Sequence, residues 1–160
     1  MLRRAFILAG TTAALALAAC SGDGDKPRQV ARDGADVLSV ARAAGAGRFA
    51  RAAAEAGLAE TLAGPGPYTL FAPTDRAFAA AGRARGEELA RLVAYHIVPG
   101  ELTSDFLEGM DVNHTTMLGT SLNIDGTEGA LRVNDATVLQ ADRMASNGVV
   151  FVIDRALTPR

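Results

Sequence analysis

The chain is poor in the side chains that carry most enzyme chemistry. Its 160 residues include one cysteine, Cys20, one lysine, Lys26, and two histidines, His96 and His114. A single thiol rules out a disulfide within the chain, and none is needed. Apolar residues make up 49% of the sequence, and a domain of roughly 130 residues buries about two-thirds of its unfolded surface. The remaining basic residues are all arginine, which reads as genome composition. Sixteen Lys and Arg stand against eighteen Asp and Glu, with no basic stripe. Nucleic-acid binding leans on clustered Lys and Arg, so it is not expected. No G-x-S-x-G, H-E-x-x-H or phosphate-binding loop occurs. Only histidine has an ordinary pKa near neutral, and the sequence holds two, His96 and His114. They fall in different predicted elements, so neither a metal site nor a cofactor site is expected, and the chain is predicted not to be an enzyme. Gly45-Ala46-Gly47-Arg48-Phe49-Ala50 fits the loose dinucleotide fingerprint. A helix precedes it where that fingerprint needs a strand, so it reads as a helix-breaking loop.

The N-terminus is more informative. Arg3 and Arg4 make a positive start, and Ala5 to Ala19 is an apolar run rich in small residues. Its length suits a signal peptide and is short for a bilayer span. It ends in Leu17-Ala18-Ala19-Cys20, which resembles the lipobox of bacterial lipoproteins. A thiol nucleophile at the membrane surface suits lipid transfer, and small side chains before it suit the peptidase. The resemblance implies a cleaved signal peptide over residues 1–19, a diacylglyceryl thioether on Cys20 and an acylated amine. Removing residues 1–19 takes Arg3 and Arg4 away and leaves a formal charge of −4. Two or three acyl chains hold a protein firmly at a membrane. Arg3-Arg4-Ala5-Phe6-Ile7-Leu8 also resembles a twin-arginine export signal, although Leu2 stands where Ser or Thr is usual. Ser21 follows the cysteine, as in lipoproteins sorted to the outer membrane of Gram-negative cells. An exported, lipid-anchored protein is therefore expected, on the outer membrane if the cell is Gram-negative.

Residues 20–33 read as the lipidated terminus and a flexible tether. They are rich in Gly, Asp and charge, hold Pro27 and lack an apolar period. Residues 34–160 read as one domain without internal repeats. Asp36 is a plausible N-cap for a helix with Val37, Val40 and Ala41 on one side. Phe49, Ala52, Ala53 and Ala56 line a second helix that Gly57 ends, and Leu58 and Leu62 suggest a short third turn. Tyr68 to Ala72 reads as a strand stopped at Pro73. Thr74 can cap the next helix, with Asp75 favoured by the helix dipole in its first turn and Ala77 and Phe78 facing inward. Glu87 to Tyr95 is another helix, with Leu89, Leu92 and Val93 inside. Thr103 reads as a cap, and Asp105, Glu108 and Asp111 as a solvated acidic face.

The last third changes period. Residues 121–124 and 130–134 alternate polar and apolar, with Asp125-Gly126 turning between them. Thr137-Val138-Leu139 is another strand, and Asn147-Gly148 a turn. Val149 to Ile153 is continuously apolar, a strand buried on both faces. His114 reads as solvated, and Asn113-His114-Thr115 as a chance glycosylation sequon. Helices first and strands later make an α+β fold.

Three stretches then resemble the fasciclin (FAS1) domain family, in the family's order. They are Tyr68-Thr69-Leu70-Phe71-Ala72-Pro73-Thr74-Asp75-Arg76-Ala77-Phe78, the Tyr95-His96 pair within Leu92 to Gly100, and Ser146-Asn147-Gly148-Val149-Val150-Phe151-Val152-Ile153-Asp154, followed by Leu157 and Pro159. The similarity covers about Ala35 to Pro159. It implies a β-sandwich or wedge of mostly antiparallel strands, flanked by helices in the N-terminal half. Phe151 departs from the histidine that many members carry there. The resemblance implies a non-enzymatic adhesion or interaction module at the bacterial cell envelope, with Tyr95 and His96 as the candidate binding surface. Its partner would be an envelope protein, a polysaccharide or another cell surface, besides the membrane held through Cys20. The alternative is a small-ligand-binding envelope lipoprotein, for example for a tetrapyrrole, using His96 and Met110, Met117 or Met144.

Overall fold

The computed structural model describes residues 34–159. The signal segment, Cys20 and the tether lie outside those residues. The helical half begins where the sequence places it. The Asp36 carboxylate accepts the Ser39 N–H at 2.7 Å and starts α1 (Val37–Ala43), a cap that contributes about 1 kcal/mol. The loop at Gly45, with φ at 92°, leads into α2 (Gly47–Glu55), which buries Phe49, Ala52 and Ala53. Next come the single turn α3 (Ala59–Ala63) and the strand β1 (Tyr68–Pro73). Thr74 caps α4 (Asp75–Ala80) by accepting the Ala77 N–H at 3.2 Å. α5 (Gly86–Tyr95) runs into β2 (Ile97–Pro99).

The rest is α6 (Ser104–Leu107) followed by β3 (Asp111–Thr115), β4 (Ser121–Asp125), β5 (Arg132–Val133), β6 (Ala136–Ala145) and β7 (Gly148–Ile153). The strands lie in the order β2-β1-β7-β6-β5-β4-β3. Every pairing is antiparallel except one. β1 and β7 run parallel in a six-residue ladder from Tyr68–Gly148 to Pro73–Ile153. The first and last strands among the described residues are therefore neighbours inside the sheet, second and third from its β2 edge.

That central pair separates two cores. Leu70 and Ala72 of β1 and Val150 of β7 join Phe49, Leu62, Val93 and the other buried residues of the helices. The alternate residues, Phe71, Val149, Phe151 and Ile153, face Leu122, Ile124 and Val133 of β4 and β5. The two-residue side-chain period sends successive residues to opposite faces. Helices cover one face and the β3–β5 half of the sheet covers the other. This is why Val149 to Ile153 reads as an uninterrupted apolar run, and all five are fully buried. Phe151 stacks on Phe71 with centroids 5.5 Å apart, so the residue that departs from the family's histidine fills the second core.

Four local expectations need correction. Thr103 stands before α6, but its side chain makes no cap bond. The cap comes from Asp142, whose carboxylate accepts the Ser104 N–H at 2.8 Å and the Ser104 hydroxyl. Asp142 reaches it from a left-handed residue (φ 52°) in the bulged middle of β6. The turn at Asp125-Gly126 is longer than two residues. Asp125 ends β4 and its carboxylate accepts the Thr127 N–H at 2.9 Å, Gly126 bonds back to Met110 and Gly109, and residues 126–131 make the connection to β5. The strand expected over 130–134 shrinks to Arg132 and Val133, because Asn134 (φ 51°) and Asp135 form the turn into β6. The Asn147-Gly148 signal is displaced by one residue. Ala145 pairs with Gly148, so Ser146 and Asn147 make the turn and Gly148 opens β7.

Gly148 has a packing reason to be glycine. A Cβ there would run into the Tyr68 backbone, its carbonyl oxygen above all. Backbone in a central ladder has little room to give. Gly148→Ala is expected to cost about 3 kcal/mol or more, lowering Tm by on the order of 10 °C. A thermal melt of the variant beside the wild type checks this, and an unchanged Tm would show that the β1–β7 ladder is looser than described.

Candidate functional site

Tyr95 and His96 sit where α5 hands over to β2. Val93 and Tyr95 already face inward at the end of the helix, and the chain must turn at once into a strand beside β1. The turn leaves helix carbonyls without partners. His96 meets that need. Its Nδ1 lies 2.7 Å from the Leu92 carbonyl, and its Nε2 lies 2.8 Å from the Leu157 N–H. The carbonyl can only accept and the amide can only donate. The ring is therefore neutral, with its proton on Nδ1. It ties the end of α5 to the segment after β7. The backbone of His96 adds a third tie, its carbonyl accepting the Phe71 N–H at 2.9 Å. Phe49 packs on the imidazole with centroids 5.1 Å apart.

Tyr95 does the same on the other side of the sheet. Its hydroxyl donates to the Ser121 carbonyl at 3.2 Å and accepts from the Asn134 amide at 3.0 Å. Asn134 in turn exchanges bonds with the backbone of Asn123. Tyr95 belongs to the second core and His96 packs on Phe49 of the first. One dipeptide thus reaches both sides of the sheet.

These placements correct the expectation of a binding surface. His96 is fully buried and Tyr95 is 3% exposed, and every polar atom of the two side chains has an internal partner. Burial pushes the His96 imidazole down to about 4, against the Leu92 carbonyl, which favours the charged ring. A neutral, fully bonded imidazole has no lone pair free for a metal or for proton transfer.

The small-ligand alternative is no better supplied. Met117 packs on the helix-side core, Met144 on the second core, and Met110 lies on the surface. The structure does not gather them around His96. His114, read as solvated, is half-buried on β3, and its Nε2 is buried without a partner. Among the described residues no group of three or more His, Cys, Asp or Glu could hold a metal ion.

Two internal hubs were missed by the sequence reading. Asn147 is buried in the β6–β7 turn, where its side-chain oxygen accepts the Val37 N–H at 3.0 Å. Its amide donates to the Leu62 carbonyl at 2.5 Å and the Gly64 carbonyl at 2.8 Å. It thereby joins α1, α3 and the sheet. Asp75, expected only to complement the dipole of α4, also accepts the Arg48 N–H at 2.6 Å and caps α2. The N-G and T-D dipeptides signal local turns and caps, and nothing in them reports a partner in a distant element.

The burial of His96 sets a pH dependence. Its folded pKa of about 4 lies below the ordinary 6.5. Between those values the unfolded chain binds a proton that the folded chain refuses. Stability from this group is therefore complete above about pH 6.5 and falls as pH drops towards 4, by up to about 3 kcal/mol. Denaturant melts at pH 7 and pH 4.5 should show the loss. His96→Gln should lower stability at pH 7 by about 2 kcal/mol and flatten the slope between the two pH values. An equal slope in the variant would place the titrating group elsewhere.

The fasciclin domain family model matches residues 44–159. Protein sll1483 of Synechocystis is 39% identical over 113 residues, 65% of this chain and 62% of that protein. The cell surface glycolipoprotein MPB83 of Mycobacterium bovis is 31% identical over 109 residues, 64% of this chain and 48% of its own length. The chain thus spans less than two-thirds of each of these relatives. A solved FAS1 domain pair from the insect cell adhesion molecule Fasciclin I superposes with a TM-score of 0.58 at 23% identity, covering 72% of this chain and 46% of that one. Fasciclin domain proteins are in general adhesion-related and extracellular. With more than half its length matched by the family model, this chain belongs to the fasciclin domain family.

Proposed function

We propose that the chain is an exported lipoprotein whose fasciclin domain works as a non-enzymatic adhesion or interaction module at the bacterial cell envelope, held to the membrane through Cys20. One observation carries this reading. The only cysteine of the sequence follows an apolar leader in a lipobox-like context, 24 residues ahead of the start of the fasciclin match at residue 44. The name of MPB83, a cell surface glycolipoprotein, supports the same combination in a relative. Among the described residues no helix is long and apolar enough to cross a membrane. In this reading attachment is through the acylated terminus, and more than one acyl chain makes that attachment stable.

Tyr95 and His96 are engaged in holding the fold, which supports an interaction module over an enzyme at this site. The partner would meet the outer surface of the domain.

Cys20→Ser tests the anchor. Cells fed an alkyne-tagged fatty acid should label the wild-type protein and not the variant, and the variant should move from the membrane fraction to the soluble fraction. A variant that stays with the membrane would sink the lipid anchor. Deletion of the gene tests the module. Attachment to surfaces and cell–cell contact should fall, and unchanged attachment across several matrices would remove the adhesion reading.

A further inference from the structure

The outer face of the helical half carries a groove of about 750 Å³ that none of the internal ties uses. Four arginines line it. Arg48 and Arg51 come from α2, three residues apart and so on one side of the helix. Arg83 and Arg85 come from the loop joining α4 to α5. All four are exposed. The loop is bracketed by left-handed glycines, Gly82 (φ 97°) and Gly86 (φ 56°). Between the two arginines Ala84 packs on the helix-side core, which fixes the loop and leaves its neighbours to solvent. Against four guanidinium groups the lining holds one carboxylate, Glu55. Leu89 and Phe78 contribute apolar surface, and the Phe78 ring is set edge-on against Phe49 at 5.9 Å. All four arginines lie within the residues that the family model matches and outside the three motif stretches.

Each guanidinium offers a planar fork of N–H donors that matches an oxyanion in bidentate fashion, and it gives up water more readily than an ammonium does. Two separate elements supply two forks each, so the groove suits a ligand with several anionic groups along its length. Its concavity disfavours a bilayer, whose flat surface would reach only the rim. Its small apolar area disfavours a protein epitope, which draws most of its affinity from buried aromatic and aliphatic anchors. A chain of acidic sugars meets both conditions, with repeated carboxylates for the arginines and an apolar ring face for Phe78. We propose that this groove binds an anionic polysaccharide of the uronic-acid type, held by Arg48, Arg51, Arg83 and Arg85. The proposal deepens the adhesion reading and rests on it for the ligand's location outside the cell.

The test uses the full chain purified in neutral detergent, titrated calorimetrically with polygalacturonate and with uncharged dextran. Polygalacturonate should bind and dextran should not, and affinity should fall as salt rises. The double variant Arg48→Gln/Arg83→Gln should bind about tenfold or more weakly, with an unchanged thermal melt. Arg132→Gln/Arg155→Gln, exposed and outside the groove, should bind as the wild type does. Equal affinity in the groove variant overturns the proposal. So does equal binding of dextran, or preference for phosphatidylglycerol vesicles, an acidic peptide or a single-stranded oligonucleotide. Specific polygalacturonate binding beside normal attachment of the deletion strain would overturn the adhesion reading and leave the groove assigned. Defective attachment without polygalacturonate binding would do the reverse.

Discussion

The fold depends on one strand being buried on both faces. β7 lies between β1 and β6, so its backbone donors and acceptors are taken up by ladders on either side. Its side chains still need two covers, since they point alternately up and down. The helices gathered in the first half supply one cover, and the β3–β5 half supplies the other. The parallel pairing with β1 follows from this. β1 is the strand that the helices deliver to the centre, and the end of the chain must return beside it to close both cores. A parallel partner needs a long connection, and here that connection is nearly the whole remaining domain. The β1–β7 contact therefore joins residues roughly eighty positions apart, and neither core is complete until it forms.

A long closure of this kind leaves irregular segments at both ends of the central strands. Their backbone groups are buried, and buried polar groups without partners are costly. The structure answers with a few side chains that each bond to several distant segments. Asn147 secures the top of β7 to α1 and α3. His96 secures the segment after β7 to the end of α5. Thr69, fully buried in β1, accepts from the Leu102 amide and donates to the Gly100 carbonyl, holding the chain beyond β2. Tyr95 and Asn134 do the same for β4 and the β5–β6 turn. The neutral state of His96 belongs to this scheme. A charged ring would lose the acceptor that Leu157 requires.

Much of the architecture was legible in the sequence because it rests on periodicity. Phe49 with Ala52 and Ala53, and Val149 to Ile153, announce a helix face and a doubly buried strand by spacing alone. Local caps were legible for the same reason, since Asp36 and Thr74 bond within three residues of themselves. The missed side-chain partners share one physical cause. Asp142 caps α6 from 38 residues away, Asp75 caps α2 across 27, and Asn147 reaches back 110 to Val37. Such partners have no signature in a window of a dozen residues. The left-handed Asn134 and Asp142 also break the strand period just where β5 shortens and β6 bulges. At the candidate site, spacing located Tyr95 and His96 correctly at a helix–strand junction. The resemblance suggested a surface, whereas the junction's own demand for hydrogen bonds turned both rings inward.

That inward turn bears on where function can reside. The three motif stretches contain most of the polar residues that tie the elements together: Thr69, Thr74, Asp75, Tyr95, His96 and Asn147. They specify how the chain folds, and a fold is compatible with many functions. Side chains that select a partner must be exposed, and exposure frees them from the packing that makes the family motifs recognisable. The arginines of the outer groove are of this second kind. They sit on α2 and on a loop held by Ala84, on rigid supports whose shape the internal ties fix. Their charge is not needed by either core. Division of labour between a bonded interior and an unconstrained rim lets one scaffold keep its fold while its surface chemistry changes.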